Sequence, residues 1–76
     1  MMGFKFNIGD VVRCKKHYSL ELPHYSRLAV VVDRQMGITF GEPPELRYLY
    51  TLSFDGYVWD DDFDENCLIG ILKSHV

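Results

Sequence analysis

The chain is poor in the features that most directly announce a function. It has two cysteines in 76 residues, Cys14 and Cys67, too few for the disulfide scaffold that holds many small secreted domains together. They are expected to be free thiols, and they become spatial neighbours if the first and last strands pair. No Asn-x-Ser/Thr acceptor occurs. No apolar run approaches the roughly 18 residues of a membrane-crossing helix, so no membrane association is expected. Residues 1–10, MMGFKFNIGD, have neither the apolar stretch nor the small-residue cleavage site of a secretory leader. A reducing, cytoplasmic setting is therefore expected. There is no GxxxxGK[ST] loop, no GxGxxG fingerprint, no repeat and no low-complexity tract. Most informative of all, no segment carries the apolar stripe of an amphipathic helix.

What is present is strand-like. Hydrophobic residues make up 47% and charged residues 25% of the chain, a globular composition well outside the disordered class. The length allows one domain, spanning residues 1–76, with a thin core: a chain this small buries roughly 60–65% of its unfolded surface. Eleven aromatic residues, five Tyr, five Phe and one Trp, supply bulk for that core. Phe4, Phe6 and Ile8 alternate with Lys5 and Asn7 in a short extended segment. Val11 to Lys16 reads as a strand with Val12 and Cys14 on one face and Arg13 and Lys15 on the other. Leu28–Val32 is a short, valine-rich strand. Residues 46–54 alternate most clearly, with Leu46, Tyr48, Tyr50, Leu52 and Phe54 on one face. Asp55-Gly56 is a strong hairpin signal, and Tyr57 to Asp60 returns as the next strand. Asp61 to Asn66 is expected to form one tight helical turn before a last strand, Leu68–Leu72. Pro43-Pro44 cannot donate to a ladder and belongs in a loop.

Five such strands predict an all-β fold, a five-stranded SH3-like small barrel without substantial helix. The expected core is Val12, Cys14, Val30, Val32, Tyr48, Tyr50, Leu52, Trp59, Leu68 and Ile69 or Ile71. In the apolar 28–32 run, alternation does not decide which residues face inward.

The acidic run from Asp60 to Glu65 raises the question of a metal site. Asp60, Asp62 and Asp64 have the first three spacings of a calcium loop, but Glu65 stands where that loop needs glycine and Ile71 where it needs a bidentate glutamate. Cys14-x-x-His17 has ligand spacing without a second pair to complete four ligands. A catalytic carboxylate pair needs two different environments around a cleft, and clustered acids beside water do not provide them. No metal, cofactor or catalytic residue is expected, and the protein is not expected to be an enzyme.

Two interaction readings remain. A protein partner would use the exposed loop aromatics Tyr18 and Tyr25, the 36–44 loop, and an edge formed by Tyr57, Trp59, Asp60, Asp61 and Asp62, because aromatics bury much area at low entropic cost. A nucleic acid would instead use Arg13, Lys15, Lys16, Arg27 and Arg34. Residues 1–34 carry six basic and three acidic groups, and residues 35–76 two basic and eight acidic. Overall the formal charge is -3, which favours the protein partner.

The order GDVVRCKK, LAVVVD and YLYTLSFDGYVWDDDFDENCLIGI resembles small SH3-like barrels of the KOW and Tudor-like kind. These often place Gly-Asp before the first strand, here Gly9-Asp10, and follow a glycine hairpin with an acidic turn into the final strand. The chain is also similar to short bacteriophage and prophage proteins of the YorP type. The resemblance covers about residues 5–72. It implies a binding module without catalysis, an adaptor or modulator of host machinery in a phage setting. A KOW module usually has glycine in the turn after its first strand, where this chain has HYSLELPHYSR.

Overall fold

The computed structural model describes residues 3–15 and 27–74. These form six strands: β1 (Val11–Cys14), β2 (Ala29–Ile38), β3 (Leu46–Phe54), β4 (Tyr57–Val58), β5 (Phe63–Asp64) and β6 (Leu68–Leu72). The only helical element among the described residues is a 3-10 turn, Glu65–Cys67. The fold is thus all-β, as the missing helical stripe predicts.

β3 organises the sheet. It pairs antiparallel with β2 along one edge, from Val30↔Ser53 to Ile38↔Leu46. Its other edge is shared, with β4 opposite Ser53 and Phe54 and β5 opposite Leu49 and Tyr50. β2 continues to β1, and β1 to β6, giving the order β4-β3-β2-β1-β6. β5 and β6 are consecutive across the 3-10 turn, so the chain itself joins the β3 side of the sheet to its β1 end. The sheet is thereby curled around its inner face.

Local chemistry fixes the turns. Asp55 and Gly56 both have positive φ, 53° and 86°, as the tight hairpin between β3 and β4 requires; glycine adopts this without Cβ strain. Between β2 and β3, Thr39 N–H donates to Glu45 O and Glu45 N–H to Thr39 Oγ1, both at 2.9 Å. Pro43 and Pro44 lie in this loop, outside the ladder. Asp64 caps the 3-10 turn by accepting from Asn66 N–H at 2.9 Å.

Cross-strand partners share a face of the sheet, and the pairs Val12↔Ala29, Val31↔Leu52, Tyr50↔Phe63 and Cys14↔Leu68 are buried on both members. Phe6 and Phe54 complete the core, with Phe4, Tyr48 and Trp59 packed at its margin.

The β2 phase corrects the expectation for Val30 and Val32. Ala29 and Val31 face inward, while Val30 and Val32 are exposed. Ala29 lies opposite the inward-facing Val12, and a bulge between Val31 and Asp33 leaves Val32 as the extra residue. β2 also runs on to Ile38, beyond the Val32 expected to end it, because β3 offers a partner along its whole length. On β6, Leu68 faces inward as expected, but Ile69 and Ile71 are exposed. The inward position opposite Val12 is Gly70. A Cβ there would come within 3.0 Å of the Phe6 ring, so glycine makes room for that ring to enter the core. Ile71 is the extra residue of a bulge between Val11 and Val12 on the facing strand. The returning strand expected over Tyr57 to Asp60 stops at Val58, and pairing resumes only at Phe63, which makes six strands of five.

The phase of β2 has a measurable consequence. Val31→Ala removes buried methyl groups and should lower unfolding free energy by about 2 kcal/mol. Val30→Ala, on the outer face, should cost less than about 1 kcal/mol. Urea denaturation of the two variants checks this; equal losses would contradict the assigned faces.

Candidate functional site

The acidic run serves mainly as a set of structural acceptors. Asp62 accepts from Gln35 Nε2 at 2.7 Å and Thr51 Oγ1 at 3.0 Å, on the outer face of β2 and β3. Asp64 accepts from Arg47 Nη1 at 2.9 Å as well as from Asn66 N–H. Glu65 accepts from Tyr50 Oη at 2.5 Å and from Lys5 N–H at 2.8 Å. Asp60 and Asp61 are different: both are exposed, and neither makes a side-chain hydrogen bond or ion pair within the described residues.

Beside them a file of rings leads from core to surface. Phe63 and Phe54 are buried, with centroids 6.1 Å apart. Trp59 packs edge-on to Phe54 at 6.4 Å, and Tyr57 edge-on to Trp59 at 6.1 Å. Trp59 N–H donates to Leu52 O at 2.9 Å, which holds the backbone between β4 and the acids against β3. Trp59 is half-buried and Tyr57 is 57% exposed. β4 stands at the end of the sheet, with one edge unpaired among the described residues. Tyr57, Trp59, Asp60 and Asp61 therefore form a continuous edge built on a rigid base.

The basic candidates do not gather in the same way. Arg13 is exposed on β1 opposite Ile69. Lys15 is half-buried, its N–H bonded to Cys67 O at 2.7 Å. Arg27 forms an ion pair with Asp55. Arg34 faces the inner side opposite Tyr50. Its Nη1 donates to Phe6 O at 2.8 Å and Asn7 Oδ1 at 2.9 Å, and its guanidinium lies 4.7 Å from the Phe4 ring centroid. Arg34 thus anchors the N-terminal arm to β2. Lys16, Tyr18 and Tyr25, like His17, His24 and His75, lie outside the described residues.

Sequence reasoning placed Tyr50 in the core and Gly9-Asp10 before the first strand, but assigned no hydrogen-bonding role to Asp10, Tyr50 or Glu65. Asp10 is 3% exposed, and its oxygens accept from Asn7 N–H at 2.9 Å and Ser74 N–H at 2.7 Å. Those backbone donors, helped by Lys73 and Arg34, hold its carboxyl below the usual value against the opposing effect of burial. Burial pushes the Cys14 thiol up to about 11, with Cys67 nearby adding to the rise; burial also raises the Cys67 thiol. Both cysteines are free. Burial, and then the bond to Glu65, push the Tyr50 phenol up to about 12. Gly9-Asp10 was the signal available for one of these groups, since a short acid after glycine commonly fixes a turn.

No family model matches the chain, and no curated protein or solved structure is significantly similar to it.

Two measurements test these networks. Tyr50→Phe leaves the buried Phe6 N–H without its acceptor and should lower stability by about 1–3 kcal/mol; a urea-measured loss under about 0.5 kcal/mol would contradict the role given to the hydroxyl. Asp10 supplies the pH dependence. Its folded pKa is depressed, so its contribution is complete above the ordinary value of 3.8 and is lost as pH falls through the folded value. Asp10→Asn should be less stable at neutral pH and lose stability less steeply in acid than the parent. Parallel acid limbs in the two melting series would contradict this.

Proposed function

We propose that the chain is a non-catalytic, SH3-like small barrel that binds a protein through the edge formed by Tyr57, Trp59, Asp60 and Asp61. The observation that carries this reading is the file of rings from Phe63 to Tyr57, ending beside two exposed carboxylates that have no partner within the described residues. Aromatic side chains held in place by a core serve well as anchors, because little freedom is lost when a partner covers them. The carboxylates favour a segment with a Lys or Arg, whose stem can lie on the Tyr57 ring while its charge meets Asp60 or Asp61. The sequence resemblance adds a bacterial host cell as the setting and its cytoplasmic machinery as the source of the partner.

The shifted groups among the described residues fit a role without catalysis. Asp10 is held ionised by backbone donors, while Cys14 and Tyr50 are pushed to about 11 and about 12. None of these is poised near neutrality, where general acid-base catalysis is most effective. No described helix is long and apolar enough to cross a membrane.

Affinity capture from host lysate, with and without nuclease, tests the proposal. One protein should be retained in both conditions. Its affinity should fall at least tenfold for a Tyr57→Ala/Asp60→Lys variant whose melting midpoint matches the parent. The reading fails if retention requires nucleic acid and is lost on charge reversal of Lys15 and Lys16, with the steep salt dependence of phosphate binding.

A further inference from the structure

The β6 bulge opens a cleft that the proposed binding edge does not use. It has a volume of about 360 Å³ and lies between the N-terminal arm at Lys5 and Phe6, the start of β1 at Asp10 and Val11, and β6 from Gly70 to Lys73. None of the residues lining this cleft belongs to the edge formed by Tyr57, Trp59, Asp60 and Asp61. The volume falls within the range of small-molecule sites, roughly 300–1,000 Å³.

Its walls follow from two features of the sequence. Ile71 is the extra residue of the bulge, so Val11 pairs with Leu72 while Val12 pairs with Gly70. Bulges bend a strand and commonly occur beside sites. Gly70 lets the Phe6 ring close one side, and Val11, Ile71 and Leu72 supply aliphatic surface. Lys5 and Lys73 both line the cleft, and Lys5 Nζ lies 5.6 Å from the Phe6 ring centroid. Neither lysine side chain forms an ion pair within the described residues. The one acid among the described lining residues, Asp10, has each oxygen occupied by a backbone N–H and is almost wholly buried. An acidic protein therefore has an apolar cleft with a local excess of positive charge.

We infer that this cleft binds a small amphipathic carboxylate, with its aliphatic tail against Phe6, Val11, Ile71 and Leu72 and its carboxylate between Lys5 and Lys73. A carboxylate suits the site better than a phosphate, because the backbone donors at Asn7 and Ser74 already serve Asp10 and no arginine is among the described lining residues. The apolar tail is required, since two solvated lysines alone hold a simple anion weakly.

Octanoate, below its micelle concentration, is the probe. Titration of the full chain followed by amide NMR should give saturable shifts confined to residues 5–11 and 70–74, with a Kd of about 0.1–5 mM. Acetate, lacking the tail, and octylammonium, with the opposite charge, should each bind at least tenfold more weakly. Lys5→Gln/Lys73→Gln removes both charges from exposed side chains and should weaken octanoate at least tenfold while the amide spectrum outside residues 5–11 and 70–74 stays that of the parent. Shifts that do not saturate, shifts centred elsewhere, or equal binding of octylammonium would overturn the proposal using the unmodified protein alone. Equal octanoate binding by the double variant would overturn the role of the two lysines.

Discussion

The phenol of Tyr50 is the point on which the curled sheet depends. Its ring is fully buried on β3, and the rings of Phe4 and Phe6 meet it edge-on at 5.8 and 5.5 Å. Its hydroxyl accepts from Phe6 N–H at 3.2 Å and donates to Glu65 at 2.5 Å. Glu65 in turn takes Lys5 N–H. One hydroxyl and one carboxylate thus tie the central strand to the N-terminal arm and to the 3-10 turn that joins β5 to β6. The phenol donates its hydrogen bond to Glu65, and burial together with that bond pushes its pKa up to about 12. In a domain whose core is thin, such a fixed joint matters more than it would in a larger protein.

The same economy explains the charge distribution. A basic N-terminal half and an acidic C-terminal half could have made two electrical faces. The fold instead brings the halves together where Arg27 meets Asp55 and the Lys5 backbone N–H meets Glu65, while Gln35 reaches Asp62 within the acidic half. Arg47 and Asp64 join β3 to β5 within the acidic half. The exposed members of these contacts add little energy individually. Their larger effect is on register, because each joins strands or loops distant in the chain.

The fold class was legible because β3 alternates without interruption, and Tyr50, Leu52 and Phe54 face inward as that alternation requires. Although nothing local showed that Gly70 rather than Ile69 or Ile71 lies opposite Val12, the Asp55-Gly56 hairpin and the span of β6 were clear. β2 was not. In LAVVV every residue is apolar, so its phase depends on pairing with Val12 and on the bulge at Val32, neither of which is local information. Phe63 was hidden for the opposite reason: a single ring among acids forms no pattern, although the polar–apolar–polar order Asp62-Phe63-Asp64 is the trace of a strand. Of the candidate site, Tyr57, Trp59, Asp60 and Asp61 were identified in the sequence as one edge. The difference between Asp61 and Asp62 was not visible there, because it rests on Gln35 and Thr51 reaching across from other strands.

Chemical prominence in a sequence is therefore a poor guide to exposure in a domain this small. Arg34 looks like a nucleic-acid contact but anchors the arm through Phe6, Asn7 and Phe4. Most of the acidic run resembles a partner-binding patch but satisfies donors of this chain. With few residues to bury, the fold recruits polar side chains to hold arms and turns that a larger core would hold by packing. The groups left available lie where the sheet is irregular. β4 stops after two residues and leaves Tyr57 at an edge, while the bulge at Ile71 opens a cleft beside Lys5 and Lys73. Regular pairing consumes donors, acceptors and apolar faces alike, so its interruptions are where this domain retains surface able to recognise something else.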